Sequence, residues 1–545
     1  MSQFAIDHDP TRWGKNPGDG LDETAFGFLR EHVGPAQPRH DTAWDSLHVA
    51  PSRLTASDLD ALAAVVGPAH VSTTDADRRR FAGGLSYLDI LARREDHLNA
   101  PDAVATPGSS DDVADLLAWC GQRGAVIVPF GGGTSVVGGL RTTGVASPTI
   151  VLDMSRLSTL LEVDAESHLV TVGAGMTGPE LERLLAARGL TLGHYPQSWH
   201  RATIGGYAAT RSAGQSSTGY GRSDEMVESM LVITPRGPLR VGRVAASAAG
   251  PDLRALMVGS EGAFGVITEV TLRVRTAPAV LSTTGVIFPD YDAGVDAFRD
   301  LVQGHVTADV MRLSDPQETA VTLAMSGPSG RTADALDRYL SVRGVREPAL
   351  AILGWEGTRG TVTARRLEGL RILRRHHGVS LGASVGNSWR RHRFSGPFLR
   401  DDLIDQGYLV ETLETATHWS RLRELRHLVQ GTVHDALADD GPGPYVMSHI
   451  SHVYETGASL YFTVIARQAA DPVSQWQQAK AAATAALADF GATITHHHAV
   501  GRDHAPWLAQ EISPLGVEVL ADLKNFFDPA GVLNPGVLLD ASGQQ

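Results

Sequence analysis

Three consecutive histidines, His496 to His498, stand in the run THHHAVG at residues 495–501. Imidazole is the side chain whose charge changes near neutral pH, so such a run suits acid–base work. It also suits a borderline divalent metal such as zinc, with His449, His452, His497 and His498 as candidate donors. A purely structural turn is the third reading. A purification tag is disfavoured, because a tag is terminal, longer and set in linker residues. Here the alternation Ala492-Thr493-Ile494-Thr495 precedes the run and Gly501 follows it. This predicts a strand-end turn. On an alternating strand neighbours face opposite sides, so at most two of the three imidazoles can line one pocket.

The frame for such a site is clearest at PFGGGTSVVGGL, residues 129–140, directly after the apolar run 125–130. Three glycines after a buried strand allow a tight turn rich in left-handed backbone. Successive N–H groups in that turn form a nest for an anion, and Thr134 and Ser135 add hydroxyl donors. The loop is not a P-loop, since no Gly-Lys-Ser/Thr follows. Nor does it open a helix as a Gly-x-Gly-x-x-Gly dinucleotide turn does. Two further stretches are rich in small polar residues, 203–227 and 259–274. Together the three suggest one extended ligand, a dinucleotide with a flat ring.

The 545-residue chain is too long for one core, so two or three domains are expected. With 42% apolar and 20% charged residues it reads as globular. A net charge of −14 disfavours nucleic acid as a partner. The Arg pairs 365–366, 374–375 and 390–391 read as solvated helix surface or as a local anion site. The single cysteine, Cys120, forms no internal disulfide and fits a reducing compartment. No run of ~18 apolar residues and no signal-peptide pattern is present, so a cytoplasmic location is expected.

Four regions are expected in an α+β chain. Residues 1–98 read as an N-terminal helical region. Residues 99–278 alternate strands (125–130, 149–154, 169–175) with helices. Ser110 is expected to cap the helix carrying Val113, Leu116, Leu117 and Cys120, and Thr177-Gly178-Pro179-Glu180 reads as a capping box. Residues 279–494 look like a second α+β domain, with strands near 349–357 and 458–466. Residues 495–545 form a C-terminal segment that returns to the active site.

The three small-residue stretches together resemble the FAD domain of the vanillyl-alcohol oxidase/p-cresol methylhydroxylase superfamily. The resemblance implies a superfamily-type FAD domain plus a substrate (cap) domain. It places Pro129, Gly131, Gly132, Gly133, Thr134 and Ser135 at the pyrophosphate. Pro196, Ser198, Thr203, Gly205, Gly206, Arg211, Ser212, Glu261, Gly265 and Ile267 then flank the isoalloxazine and the adenosine half. Loop 129–140 has neither His nor Cys, so noncovalent FAD is expected.

Within that superfamily the chain resembles the alkyldihydroxyacetonephosphate synthase family from about residue 80 to its C-terminus. Among the stretches are MRLSD (311–315), FLRDDLIDQGYLVETLET (398–415), YETGASLYFT (454–463) and ITHHHAVG (494–501). By that resemblance the functional residues fall on Arg312, Arg400, Tyr461 and His498, with His497 beside it. The family reaction exchanges the acyl group of acyl-dihydroxyacetone phosphate for a fatty alcohol through a flavin N5 adduct. Tyr461 then suits the acid, His498 with His497 the base or phosphate binding, and Arg400 and Arg312 the anion. The alternatives are ordinary salt bridges for the arginines and a packed aromatic for Tyr461. The resemblance also implies lipid substrates, a homodimer and transient contact with a membrane surface. The chain departs from the animal enzymes at Gln197, where they carry an acid, and at His449, where they carry Arg. The competing resemblance is to FAD-dependent D-2-hydroxyacid dehydrogenases with a divalent metal. Their first His is kept as His452, but their second His and their Glu are Tyr461 and His497 here.

Overall fold

The computed structural model describes residues 12–13, 21, 23–38, 43–94, 97–326, 338, 340–342, 345 and 347–539. Strands Val126–Phe130 and Thr149–Asp153 run parallel, with Ala103–Ala105 beyond and Val71–Ser72 antiparallel at the edge. Their apolar side chains do not alternate with polar ones, as expected where both faces are covered. Helix Ser110–Arg123 packs Val113, Leu116, Leu117 and Cys120 into one core with Ile127 and Ile150. The expected helical region over 1–98 thus also contributes a strand to this sheet. It also contains the short parallel strands His48–Val49 and His97–Leu98.

Two expected caps are revised. Ser109, not Ser110, accepts the Asp112 N–H at the start of its helix. The Ser110 hydroxyl bonds Thr268 instead, at 2.8 Å. Thr177 accepts the Glu180 N–H, which is the one half of the expected capping box that forms among the described residues.

A second, antiparallel sheet has five strands in the order Gly237–Val241, Val227–Thr234, Val266–Arg273, Leu169–Gly173, Leu160–Asp164. The third is antiparallel and has seven: Val379–Gly382, Val280–Phe288, Ala349–Gly357, Val310–Ser314, Tyr445–Val453, Gly457–Arg467, Tyr408–His418. Strand side chains point alternately to opposite faces. Leu460, Phe462 and Val464 therefore join Phe298, Trp355 and Trp476 in the largest core, under helices Tyr291–Gln303 and Pro472–Phe490. Tyr461, Thr463 and Ile465 face the other way, into a cavity.

The C-terminal segment closes the structure. Beyond helix Pro514–Phe527, Leu533 bridges Ile127 in parallel and completes the free edge of the strand that leads into the glycine loop. Asn534 donates to the carbonyls of Gly139 at 3.1 Å and Glu261 at 2.8 Å.

Candidate active site

One cavity of about 1050 Å³ runs from the glycine loop to the third sheet. At its first end the backbone is packed too closely for side chains. A Cβ on Gly131 would overlap the Thr203 hydroxyl, and one on Gly132 the Arg201 carbonyl. Gly133 has φ +68° over the Phe130 ring, where a side chain is both strained and crowded. Thr203 caps helix Ile204–Thr210, and a Cβ on Gly205 would crowd Ala174. Fifteen of the sixteen residues expected at the cofactor line this cavity; the exception is Arg211. Its backbone is left-handed, and its guanidinium caps the carbonyls of Val258 and Ala255 at 3.0 and 2.9 Å. It is a helix-end clamp. The bare backbone, the loop hydroxyls and the length of the cavity fit a dinucleotide such as FAD.

Glu261 connects this cradle to the C-terminal segment. Its carboxylate accepts the N–H groups of Val500 and Gly501 at 2.9 and 3.0 Å. Burial pushes it up to about 7, against the lowering effect of those two donors.

The second end is built from charged side chains on facing positions of the third sheet. Ser314 pairs with His449, His449 with Tyr461, and Tyr461 with Glu414, in one row across four strands. Arg312 donates to His449 Nε2 at 2.9 Å and to Glu318 at 2.7 Å. His449 Nδ1 then lies 3.1 Å from the same carboxylate oxygen. Arg312 holds one nitrogen as an acceptor, so the other carries the proton. Burial opposes ionisation of Glu318, but Arg312 and His449 hold it well below the usual carboxylate range. Burial, then Arg312, keeps His449 below its ordinary value. The His449 ring stacks on Tyr461 with centroids 5.0 Å apart. Burial pushes the Tyr461 phenol up to about 12, so it remains a proton donor.

Arg400, on helix Gly396–Asp405, donates through Nη1 to the Leu85 carbonyl at 2.8 Å. Glu411 and Asp401 lie 3.9 and 3.5 Å away, yet Nε and Nη2 have no hydrogen-bond acceptor among the described residues. A buried guanidinium with spare donors on a cavity wall is suited to an anion.

The histidine run is not at the end of a regular strand. Residues 496–498 form successive bends. His497 and His498 line the cavity, whereas His496 turns to the Tyr454 hydroxyl, 2.6 Å away. The limit of two imidazoles holds, but a loop sets it. Burial brings His498 down to about 3, so it is neutral in the folded protein.

The expected metal donors do not assemble as a set. His449 belongs to the Arg312–Glu318 group, and among the described residues the compact trio is His452, His496 and His497, with nitrogens within 4.8 Å. Five of their six ring nitrogens already have partners. His452 Nε2 is 3.0 Å from the Gly214 carbonyl, its Nδ1 is 3.0 Å from Ser451, and the Nδ1 atoms of His496 and His497 are 2.9 Å apart.

Residues 101–242 match the FAD binding domain family, and residues 277–538 match the C-terminal domain of FAD linked oxidases. An alkyldihydroxyacetonephosphate synthase of Dictyostelium discoideum is 30% identical over 504 residues, 91% of this chain and 82% of that protein. The chain belongs to the alkyldihydroxyacetonephosphate synthase family. The synthase of Trypanosoma brucei brucei is 30% identical over 467 residues, 84% of this chain and 76% of that one. A solved alkyldihydroxyacetonephosphate synthase superposes with a TM-score of 0.81 at 27% identity, covering 94% of this chain and 92% of the other. This family member is therefore a flavin-dependent enzyme with FAD as its cofactor, in the p-cresol methylhydroxylase type of fold. Among the described residues no helix is long and apolar enough to cross a membrane.

Sequence reasoning missed Glu414 and Glu318 as parts of the site. The available signal was a carboxylate inside an apolar strand: Glu411 and Glu414 interrupt YLVETLETATH. Buried carboxylates are rare unless paired.

Proposed function

We propose that the enzyme exchanges the acyl group of an acyl-dihydroxyacetone phosphate for a fatty alcohol and so forms an ether. The observation that carries this reading is the single cavity. It joins the glycine cradle, the Arg400, Tyr461 and His498 group, and apolar walls that include Leu350, Ile352, Val410 and Met447. A lipid phosphate ester needs all three. FAD, when bound by the cradle, supplies the electrophile that a redox-neutral exchange at carbon requires.

The remaining work falls to side chains. Arg400 offers Nε and Nη2 to the phosphate or to the leaving carboxylate. Arg312 is held by Glu318 and His449 at a fixed angle to the same space. Tyr461 stays protonated and gives its proton to the departing carboxylate. His497 and the neutral His498 accept the proton from the substrate carbon or from the alcohol. The apolar walls take the alkyl chains and exclude water.

The test uses FAD-loaded protein with palmitoyl-dihydroxyacetone phosphate and labelled hexadecanol, followed by mass analysis. Labelled alkyl-dihydroxyacetone phosphate, with the flavin oxidised at the end, is the expected result. No ether and no bleaching of the flavin would overturn the reading and direct the assay to anaerobic D-2-hydroxy acids.

A further inference from the structure

Glu414 ends the row Ser314–His449–Tyr461 and has no task in the reaction just described. Its surroundings are unusual for a strand carboxylate. Oε2 accepts the His496 N–H at 2.7 Å. Oε1 accepts the N–H groups of His497 and His498 at 2.8 and 2.7 Å, and the Thr495 hydroxyl at 2.9 Å. Three consecutive backbone donors wrap one carboxylate, a nest closed on the protein's own side chain. Burial opposes its charge, yet the neighbouring imidazoles, His497 first and then His498 and His496, keep Glu414 well below the usual carboxylate range.

The ring nitrogens separate the three histidines. His497 Nδ1 is 3.2 Å from Oε2, whereas the Nδ1 atoms of His496 and His498 are 3.7 and 3.8 Å from the carboxylate, beyond hydrogen-bond reach. An ionised carboxylate has no proton to give, so the His497 nitrogen facing it is an N–H. The same atom is 2.9 Å from His496 Nδ1. Of two nitrogens at that distance one must accept, and that one is His496 Nδ1. The proton of His496 is then on Nε2, directed at the Tyr454 hydroxyl. The reverse assignment would place a His497 lone pair against the carboxylate. One direction of the chain is consistent.

We propose that Glu414 is the positioning residue of the histidine run: it fixes His497 as the Nδ1–H tautomer and presents its Nε2 lone pair to the cavity as the base. The proton on Nδ1 follows from the ionised carboxylate and the two Nδ1 distances; the word base rests on the reaction proposed above. His497 thereby takes the general-base role ahead of His498, which the carboxylate anchors through its backbone alone.

The test is nitrogen NMR on FAD-loaded protein carrying ring-15N histidine, with the His497 signal identified by its loss in His497→Gln. The wild type is expected to show a protonated Nδ1 and a bare Nε2 at His497. In Glu414→Gln the amide NH2 meets His497 Nδ1, and the proton is expected to move to Nε2 while flavin content is unchanged. A wild-type His497 protonated on Nε2 overturns the proposal even if the variant does not fold. So does a folded Glu414→Gln variant with the wild-type tautomer. In the ether assay, kcat of the variant is expected to fall about 100-fold or more, with KM within about threefold; an unchanged kcat overturns the positioning role. Failure of the wild type to form ether overturns the reaction and leaves the tautomer result standing.

Discussion

The two ends of the cavity are built from opposite materials. The glycine-loop end is backbone: glycines set against carbonyls, with hydroxyl caps and few charges. The end against the third sheet is side chain: arginines, carboxylates and imidazoles, most of them buried and each held by a partner. A ligand with a fixed shape and a pyrophosphate is held by geometry that need not change. A substrate that loses and gains protons needs groups whose charge and direction are set by neighbours. The contrast teaches that one pocket can be rigid by sterics at one end and by electrostatics at the other.

Four measurements sharpen or break that contrast. The largest effect is expected at Gly132→Val, whose side chain would overlap the Arg201 carbonyl. The purified protein should lose its flavin absorbance, and normal FAD content would show that the loop is not the cradle. Next, Tyr461→Phe removes the proton donor and keeps the ring that stacks on His449. Ether formation should fall about 10²- to 10⁴-fold with FAD retained, as for loss of a general acid; near-normal turnover removes Tyr461 from that role.

The third measurement concerns stability. Burial raises Glu261 from 4.5 to about 7 in the folded chain. The folded state then binds more protons than the unfolded one between these values, so stability is full below about 4.5 and falls as pH rises to 7. The loss is on the order of 3 kcal/mol. The melting temperature of the apoprotein should drop over that window, and Glu261→Gln should flatten the drop; parallel curves would refute the assignment. The smallest effect is expected at Glu318→Gln, which weakens the hold on Arg312 and His449. A loss of roughly tenfold in kcat/KM, about 1.4 kcal/mol, is expected. Glu318 is held low, so the stability it contributes is present above the unfolded value and lost as pH falls. Acid unfolding of the variant should therefore be less steep than that of wild type.

The glycine cradle was legible because its requirement is local. Gly131 to Ser135 follow an apolar strand, and only glycine fits that turn whatever the rest of the chain does. Arg211 shows the limit of such reading. It lies inside the right stretch, but a left-handed backbone turns its guanidinium to Val258. The histidine run was legible as chemistry and not as geometry. Its expected strand-end turn is a run of bends with no regular strand before it, held by a carboxylate 82 residues earlier that binds its N–H groups. Glu318 was invisible for the same reason, since His449, the partner that defines it, lies 131 residues away.

By itself the sequence determined what is short-range: strands without alternation, a loop that tolerates no side chain, and residue types suited to anions and protons. Tertiary structure decided which of those residues meet. Sheet register put His449, Tyr461 and Glu414 in one row, and the returning C-terminal segment brought His497 and His498 to it. The physical reason is distance along the chain. A backbone conformation depends on a few neighbours, whereas a proton's position on an imidazole depends on whichever buried charge the fold places within about 3 Å of it.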